Sequence, residues 1–176
     1  HDGPDLLLKR PVPALGQRIA RRPVGDALRE LPTALADVLD LLAPKLSFIS
    51  VGTNDLTQFL FAADRANPKL AERYDWLSPA ILRYLARVSQ SLIGQNVRLG
   101  VCGEMGGRRL EALALLGIGY RRLSITPAAV GPIKELVRKV DLGEITEFMN
   151  RLLASPPPNM RAELQQWANE RDIEFD

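Results

Sequence analysis

In the stretch 46-LSFISVGTNDLTQFLFAADR-65 an apolar run passes into a helical pattern across a Gly-Thr-Asn-Asp turn. Leu46 to Val51 is apolar and partly β-branched, and this predicts a buried strand. Residues 56–63 then carry apolar side chains at helical spacing. A strand that runs directly into a helix is half of a βαβ unit, and parallel sheets built from such units gather their chemistry at the carboxyl ends of the strands. Asn54 and Asp55 stand at that end. Asp55 has two readings there: a helix N-cap, where Asp and Asn are favoured, or a ligand for a metal or substrate.

The same rhythm extends in both directions. Upstream, 33-TALADVLDLLAPK-45 repeats Leu35, Val38, Leu39 and Leu42 at helical spacing, with Thr33 as a cap. Before it, VGDALREL (24–31) reads as a weak strand, broken by Asp26 and Arg29. Residues 1–23, with prolines at 4, 11, 13 and 23, read as irregular. Downstream, Ser78-Pro79 is an N-cap and first-turn pair for a helix to about residue 93. A strand over 96–101 ends at 102-CGEMGG-107, and a helix follows over 108–117. A strand over 121–125 ends at Thr126-Pro127, ahead of helices over 128–140 and 142–154. The break 155-SPPPN-159 precedes a polar, amphipathic tail expected to lie on the outside or to be flexible. The organisation is thus an irregular segment 1–23, a strand–helix body 24–154 and a tail 155–176. A full (β/α)8 barrel needs eight strands and about 250 residues. Three clear strands and one weak one, all expected to run parallel, amount to about half of a barrel or a small open α/β sheet.

Composition removes several classes of function. Across 176 residues, 23 Lys and Arg nearly balance 21 Asp and Glu, so no basic surface points to nucleic acid. The pairs Arg108-Arg109 and Arg121-Arg122 are too short to alter that balance. No apolar run reaches the length of a membrane span. One cysteine, Cys102, precludes an internal disulfide and fits a reducing, cytoplasmic setting. A chain that opens on His1 rather than Met is expected to be a fragment or a processed product.

The predicted strand ends collect the chemistry. Glu30 follows the weak strand, Asn54 and Asp55 the second, Cys102 and Glu104 the third, and Thr126 the last. Two carboxylates such as Glu30 and Asp55, converging from neighbouring strands, suit Mg2+, which takes one or two protein carboxylates and completes its shell with water and substrate oxygens. Glu30 is otherwise a solvated surface acid. Cys102 is either a small buried residue or a thiol exposed by a Gly-rich turn before a helix N-terminus. Arg65 is either a surface arginine or a clamp for phosphate or carboxylate. Nucleotide-binding glycine motifs are absent.

Together, VGTNDLTQFLFAADR and GVCGEMGG resemble the signature of the phosphoenolpyruvate-utilising enzymes. The continuation through 64-DRANPKLAERYDWLSPAILRYL-85 and 111-EALALLGIGYRRLSITPAAVGPIKELVR-138 is most similar to the enzyme I branch, in its nitrogen-type form. The resemblance spans about residues 30–140. It implies the C-terminal part of a (β/α)8 barrel in which Asn54, Asp55 and Arg65 bind phosphoenolpyruvate. It also implies that Glu30 and Asp55 ligate Mg2+, and that Cys102 protonates the pyruvate enolate. The phosphoryl group would pass to a histidine on a separate domain and from there to an HPr-type phosphocarrier; the one histidine here, His1, stands in no such motif. A homodimer, with neither nucleic acid nor membrane as partner, is implied as well. The alternative is a non-catalytic remnant acting as an association module, since a half barrel leaves open sheet edges.

Overall fold

The computed structural model describes residues 17–21, 29–30, 39, 42–62, 67, 70 and 74–175. Its strands are β1 (Gln17–Arg21), β2 (Arg29–Glu30), β3 (Leu46–Gly52), β4 (Arg98–Cys102) and β5 (Leu123–Ser124). Its helices are α1 (Thr53–Phe61), α2 (Pro79–Ser91), α3 (Arg109–Gly117), α4 (Val130–Lys139), α5 (Leu142–Ala154) and α6 (Met160–Asn169). The strands form one sheet in the order β2-β1-β3-β4-β5.

β3, β4 and β5 are parallel, as the strand–helix alternation predicts. The expectation of a wholly parallel sheet is corrected at its other end, where β1 is antiparallel to both β2 and β3. β1 lies inside the segment read as irregular. The prolines at 11, 13 and 23 flank residues 17–21 without entering them. The strand exists because it supplies hydrogen bonds to the edge of β3, which would otherwise be open, and local composition does not report such a pairing. Of the weak strand expected over 24–31, Arg29–Glu30 is a strand, and the rest lies outside the described residues.

Ile49, Val51 and Val101 are buried on the sheet. α3 is the centre of the helical layer: Leu110 to Gly117 are all buried, as a helix this rich in Leu and Ala requires, and the one carboxylate among them, Glu111, is ion-paired. Its last residue, Gly117, packs so closely on α5 that an added Cβ would lie 2.4 Å from Met149 Cγ. Tyr120 is fully buried and donates from its hydroxyl to the Leu85 carbonyl at 3.1 Å, joining α2 to the segment after α3. Arg83 donates to the Leu153 carbonyl at 2.9 and 2.7 Å and so closes the carboxyl end of α5. The tail is not a loose appendage. Met160, Leu164, Trp167, Ala168 and Ile173 are buried, so α6 has an inward apolar side besides the polar residues that suggested an exterior position.

The helix expected over 33–45 lies mostly outside the described residues; Leu39 is fully buried, and Ala43–Lys45 form a 3-10 turn. Among the described residues no helix is long and apolar enough to cross a membrane.

Candidate functional site

β3 enters α1 without a loop. The helix starts at Thr53, three residues earlier than its apolar spacing suggests, with Gly52 at the cap position. Asn54 and Asp55 are therefore first-turn residues rather than caps. Asp55 accepts from Gln58 Nε2 at 3.3 Å and is half-buried. A carboxylate in the first turn is favoured by the helix dipole.

Thr53, fully buried, donates from Oγ1 to the Cys102 carbonyl at 3.3 Å and links the ends of β3 and β4. The next residue, Gly103, adopts φ +117°, and a Cβ there would lie 2.8 Å from Thr53 Oγ1 and 3.3 Å from Asn54 Oδ1. This close approach brings the turn after Cys102 against the first turn of α1. Asn54 Oδ1 is buried and finds no hydrogen-bond partner among the described residues. The Asn54 backbone is held instead, since Tyr74 donates from its hydroxyl to the Asn54 carbonyl.

Asn54 and Cys102 open onto one cleft of about 450 Å³, with Glu104, Arg108, Ser124 and Thr126 on its other walls. Cys102 is half-buried, while Glu104 and Arg108 are exposed. The Arg108 guanidinium stands 5.1 Å from the centre of the Trp76 ring, a cation–π distance. A larger cavity of about 700 Å³ lies along the sheet between Phe48, Ser50, Gly100 and Arg122, and none of the sequence-predicted site residues lines it.

The structure thus brings Asn54, Cys102, Glu104 and Thr126 together. Asp55 is adjacent in the helix but does not line the cleft. Glu30 is not brought beside them: it pairs with Arg18, Arg18 pairs with Ser50, and so β1 stands between Glu30 and β3. Arg65 lies outside the described residues. Sequence reasoning missed Arg108, Ser124 and Tyr74. Arg108 was set aside as half of an isolated arginine pair, yet its position directly after the Gly-rich turn marks it as a strand-end residue. Tyr74 belongs to a polar connection in which Tyr74 and Trp76 were the available signal. Their rings meet edge to face at 5.8 Å.

An ion-pair cluster joins α6 to α3 and to the connection before α2. Arg161 Nη2, in the first turn of α6, lies 2.9 Å from Asp75 Oδ1 and 2.9 Å from Glu111 Oε1. Burial pulls the Arg161 pKa down, but the hydrogen bonds and charges of Glu111 and Asp75 outweigh it and hold the group above its ordinary value.

These features define an α/β domain whose cleft sits at the carboxyl ends of parallel strands. The family follows from comparison: the model of the PEP-utilising enzyme, PEP-binding domain, matches residues 15–142, and the chain belongs to that family. The match begins upstream of residue 30, where the motif resemblance started, and takes in β1. A phosphoenolpyruvate-protein phosphotransferase of Borreliella burgdorferi is 42% identical over 126 residues, covering 72% of this chain and 22% of the relative. A phosphoenolpyruvate-dependent phosphotransferase system protein of Escherichia coli strain K12 is 40% identical over 139 residues, 79% of this chain and 18% of the relative. A phosphoenolpyruvate-protein phosphotransferase of Cupriavidus necator is 35% identical over 143 residues, 81% and 24% respectively. The chain spans about a fifth of the length of these relatives.

Proposed function

We propose that this chain is the phosphoenolpyruvate-binding, C-terminal portion of a (β/α)8 barrel from a cytoplasmic, homodimeric phosphoenolpyruvate–protein phosphotransferase of the enzyme I type. The observation that carries the reading is the meeting of Asn54 and Cys102 on one cleft, an amide from the helix turn that follows β3 and a thiol from the end of the adjacent parallel strand β4. The buried, unpartnered Asn54 Oδ1 supports it, because a buried acceptor without a donor is costly unless a ligand, a cation or its water completes it.

The same observation tests the fit to Mg2+. No group of three His, Cys, Asp or Glu side chains forms a metal cage among the described residues. Mg2+ takes one or two protein carboxylates and keeps much of its shell for water and substrate. Asp55 is the carboxylate assigned to it, with Asn54 adjoining; Glu30, the second carboxylate that the resemblance implies, is separated from β3 by β1 and does not join them. When bound, the ion offsets the charge of the substrate's phosphate and carboxylate.

The rest falls to the chain's own side chains. Asn54 and Arg65 orient phosphoenolpyruvate. As the phosphoryl group leaves for a histidine on a domain outside this chain, an enolate remains. Cys102 then protonates its terminal carbon: the S–H bond breaks, a C–H bond forms, and the thiolate regains a proton from solvent. The phosphohistidine would serve an HPr-type phosphocarrier.

Isothermal titration of the folded chain with phosphoenolpyruvate in Mg2+ is expected to give heat of binding that a chelator abolishes. A folded protein that gives none would sink the reading. Cys102→Ala is expected to keep the affinity while slowing deuterium exchange at the pyruvate methyl group by about 100-fold or more, the usual scale of a lost acid–base group.

A further inference from the structure

We infer that Arg161 is a positioning residue for the cleft, acting from the C-terminal helix through Asp75 and Glu111. Arg161 lies beyond residues 15–142, the span that the family model matches. Its Nη2 bridges two carboxylates of different surroundings. The Glu111 side chain is 3% exposed, and Asp75 is 44% exposed.

Each carboxylate leads to a different wall of the cleft. Glu111 is in the first turn of α3, directly after the turn 103–107 that follows Cys102. Asp75 organises the connection before α2: its Oδ1 also accepts from the Leu77 amide at 3.0 Å, and its carbonyl accepts from the Ser78 amide at 3.1 Å. On either side of Asp75, Tyr74 holds the Asn54 carbonyl and Trp76 carries Arg108 on its ring. One guanidinium nitrogen thus joins the support of Cys102 to the support of Asn54 and Arg108. Because Glu111 is buried, its partner is fixed: an unpaired carboxylate there would force α3 to shift or to admit water.

The role in phosphoenolpyruvate binding rests on the proposed function, so the test has a second arm independent of it. Cys102 is the one thiol in the chain, and its alkylation by iodoacetamide, followed by mass spectrometry, reports the geometry of the turn directly. The paired variant Arg161→Met with Glu111→Gln removes the bridge without stranding a buried charge. Asp75→Asn removes the charge of the half-exposed arm and leaves Oδ1 to accept from Leu77, so it serves if the paired variant does not fold. Both are expected to change the Cys102 alkylation rate several-fold and to weaken Mg2+-dependent phosphoenolpyruvate binding by about tenfold, the lower end for lost supporting contacts. Arg161→Lys is expected to restore both, because both contacts are made by a single nitrogen that an ammonium can replace. Arg83→Met, which frees the α5 end away from the cleft, is expected to lower stability and leave alkylation unmoved. If a folded bridge variant alkylates at the wild-type rate, Arg161 is a structural tie only and the inference is overturned. If wild-type protein binds no phosphoenolpyruvate but the variants still alter alkylation, the positioning role stands and the functional reading falls.

Discussion

Gly103 holds φ +117°, a conformation that side chains rarely adopt, and its missing Cβ is what lets the Cys102 turn approach Thr53 and Asn54. Gly103→Ala is therefore expected to cost about 2 kcal/mol through backbone strain and the clash with Thr53. The check is the urea unfolding midpoint at an unchanged m-value. A loss near zero would mean that the turn is free to relax, and the cleft would then not be preorganised. At this scale much of the site was legible. Asn54, Cys102 and Thr126, which line the cleft, stand at strand endings, and strand endings are visible in apolar periodicity. Tyr74 and Arg108 were not legible. Tyr74 reaches Asn54 from 20 positions away, and Arg108 is oriented by Trp76; both contacts depend on how a connection folds back.

Between elements, close approach carries much of the specificity. The missing side chain of Gly117 lets α3 and α5 pack, with Met149 Cγ and the Ile145 carbonyl where a Cβ would go. Gly117→Ala, favourable by helix propensity alone, is expected to destabilise by about 1–3 kcal/mol because overpacking outweighs propensity. Thermal unfolding measures the sign directly. Asp141 caps α5 by accepting from the Glu144 amide at 2.9 Å. Its replacement by Ala is expected to cost about 1 kcal/mol by the same measurement. The helices over 79–91, 109–117 and 142–154 agree closely with the periodicity, since their caps and apolar spacing are local. α1 differs: its start is set by β3 running straight into it, so Asp55 falls in the first turn and not at the cap.

At the scale of the whole molecule, Tyr120 ties α2 to the segment between α3 and β5. Burial first, and the charge of Tyr84 second, hold its phenol well above the ordinary value of 10.0. A group raised in the folded state contributes stability that is fully present below its unfolded value and is lost as the pH climbs above it. Urea midpoints are therefore expected to be insensitive to this group up to about pH 10 and to fall at higher pH. Tyr120→Phe should flatten that fall, at a cost near neutrality of about 1 kcal/mol for the lost bond to Leu85. The sequence by itself determined the run of parallel strands and helices from residue 46 to 154 and the chemical residues at their ends. Both are encoded in spacing over a few neighbours. Only the tertiary structure decided that β1 pairs antiparallel with β3, that the polar tail buries Trp167 and Ile173, and that Arg161 reaches Asp75 and Glu111. Those outcomes depend on which distant surface offers an open edge, an apolar face or a buried carboxylate, and a local pattern carries no record of its distant partner.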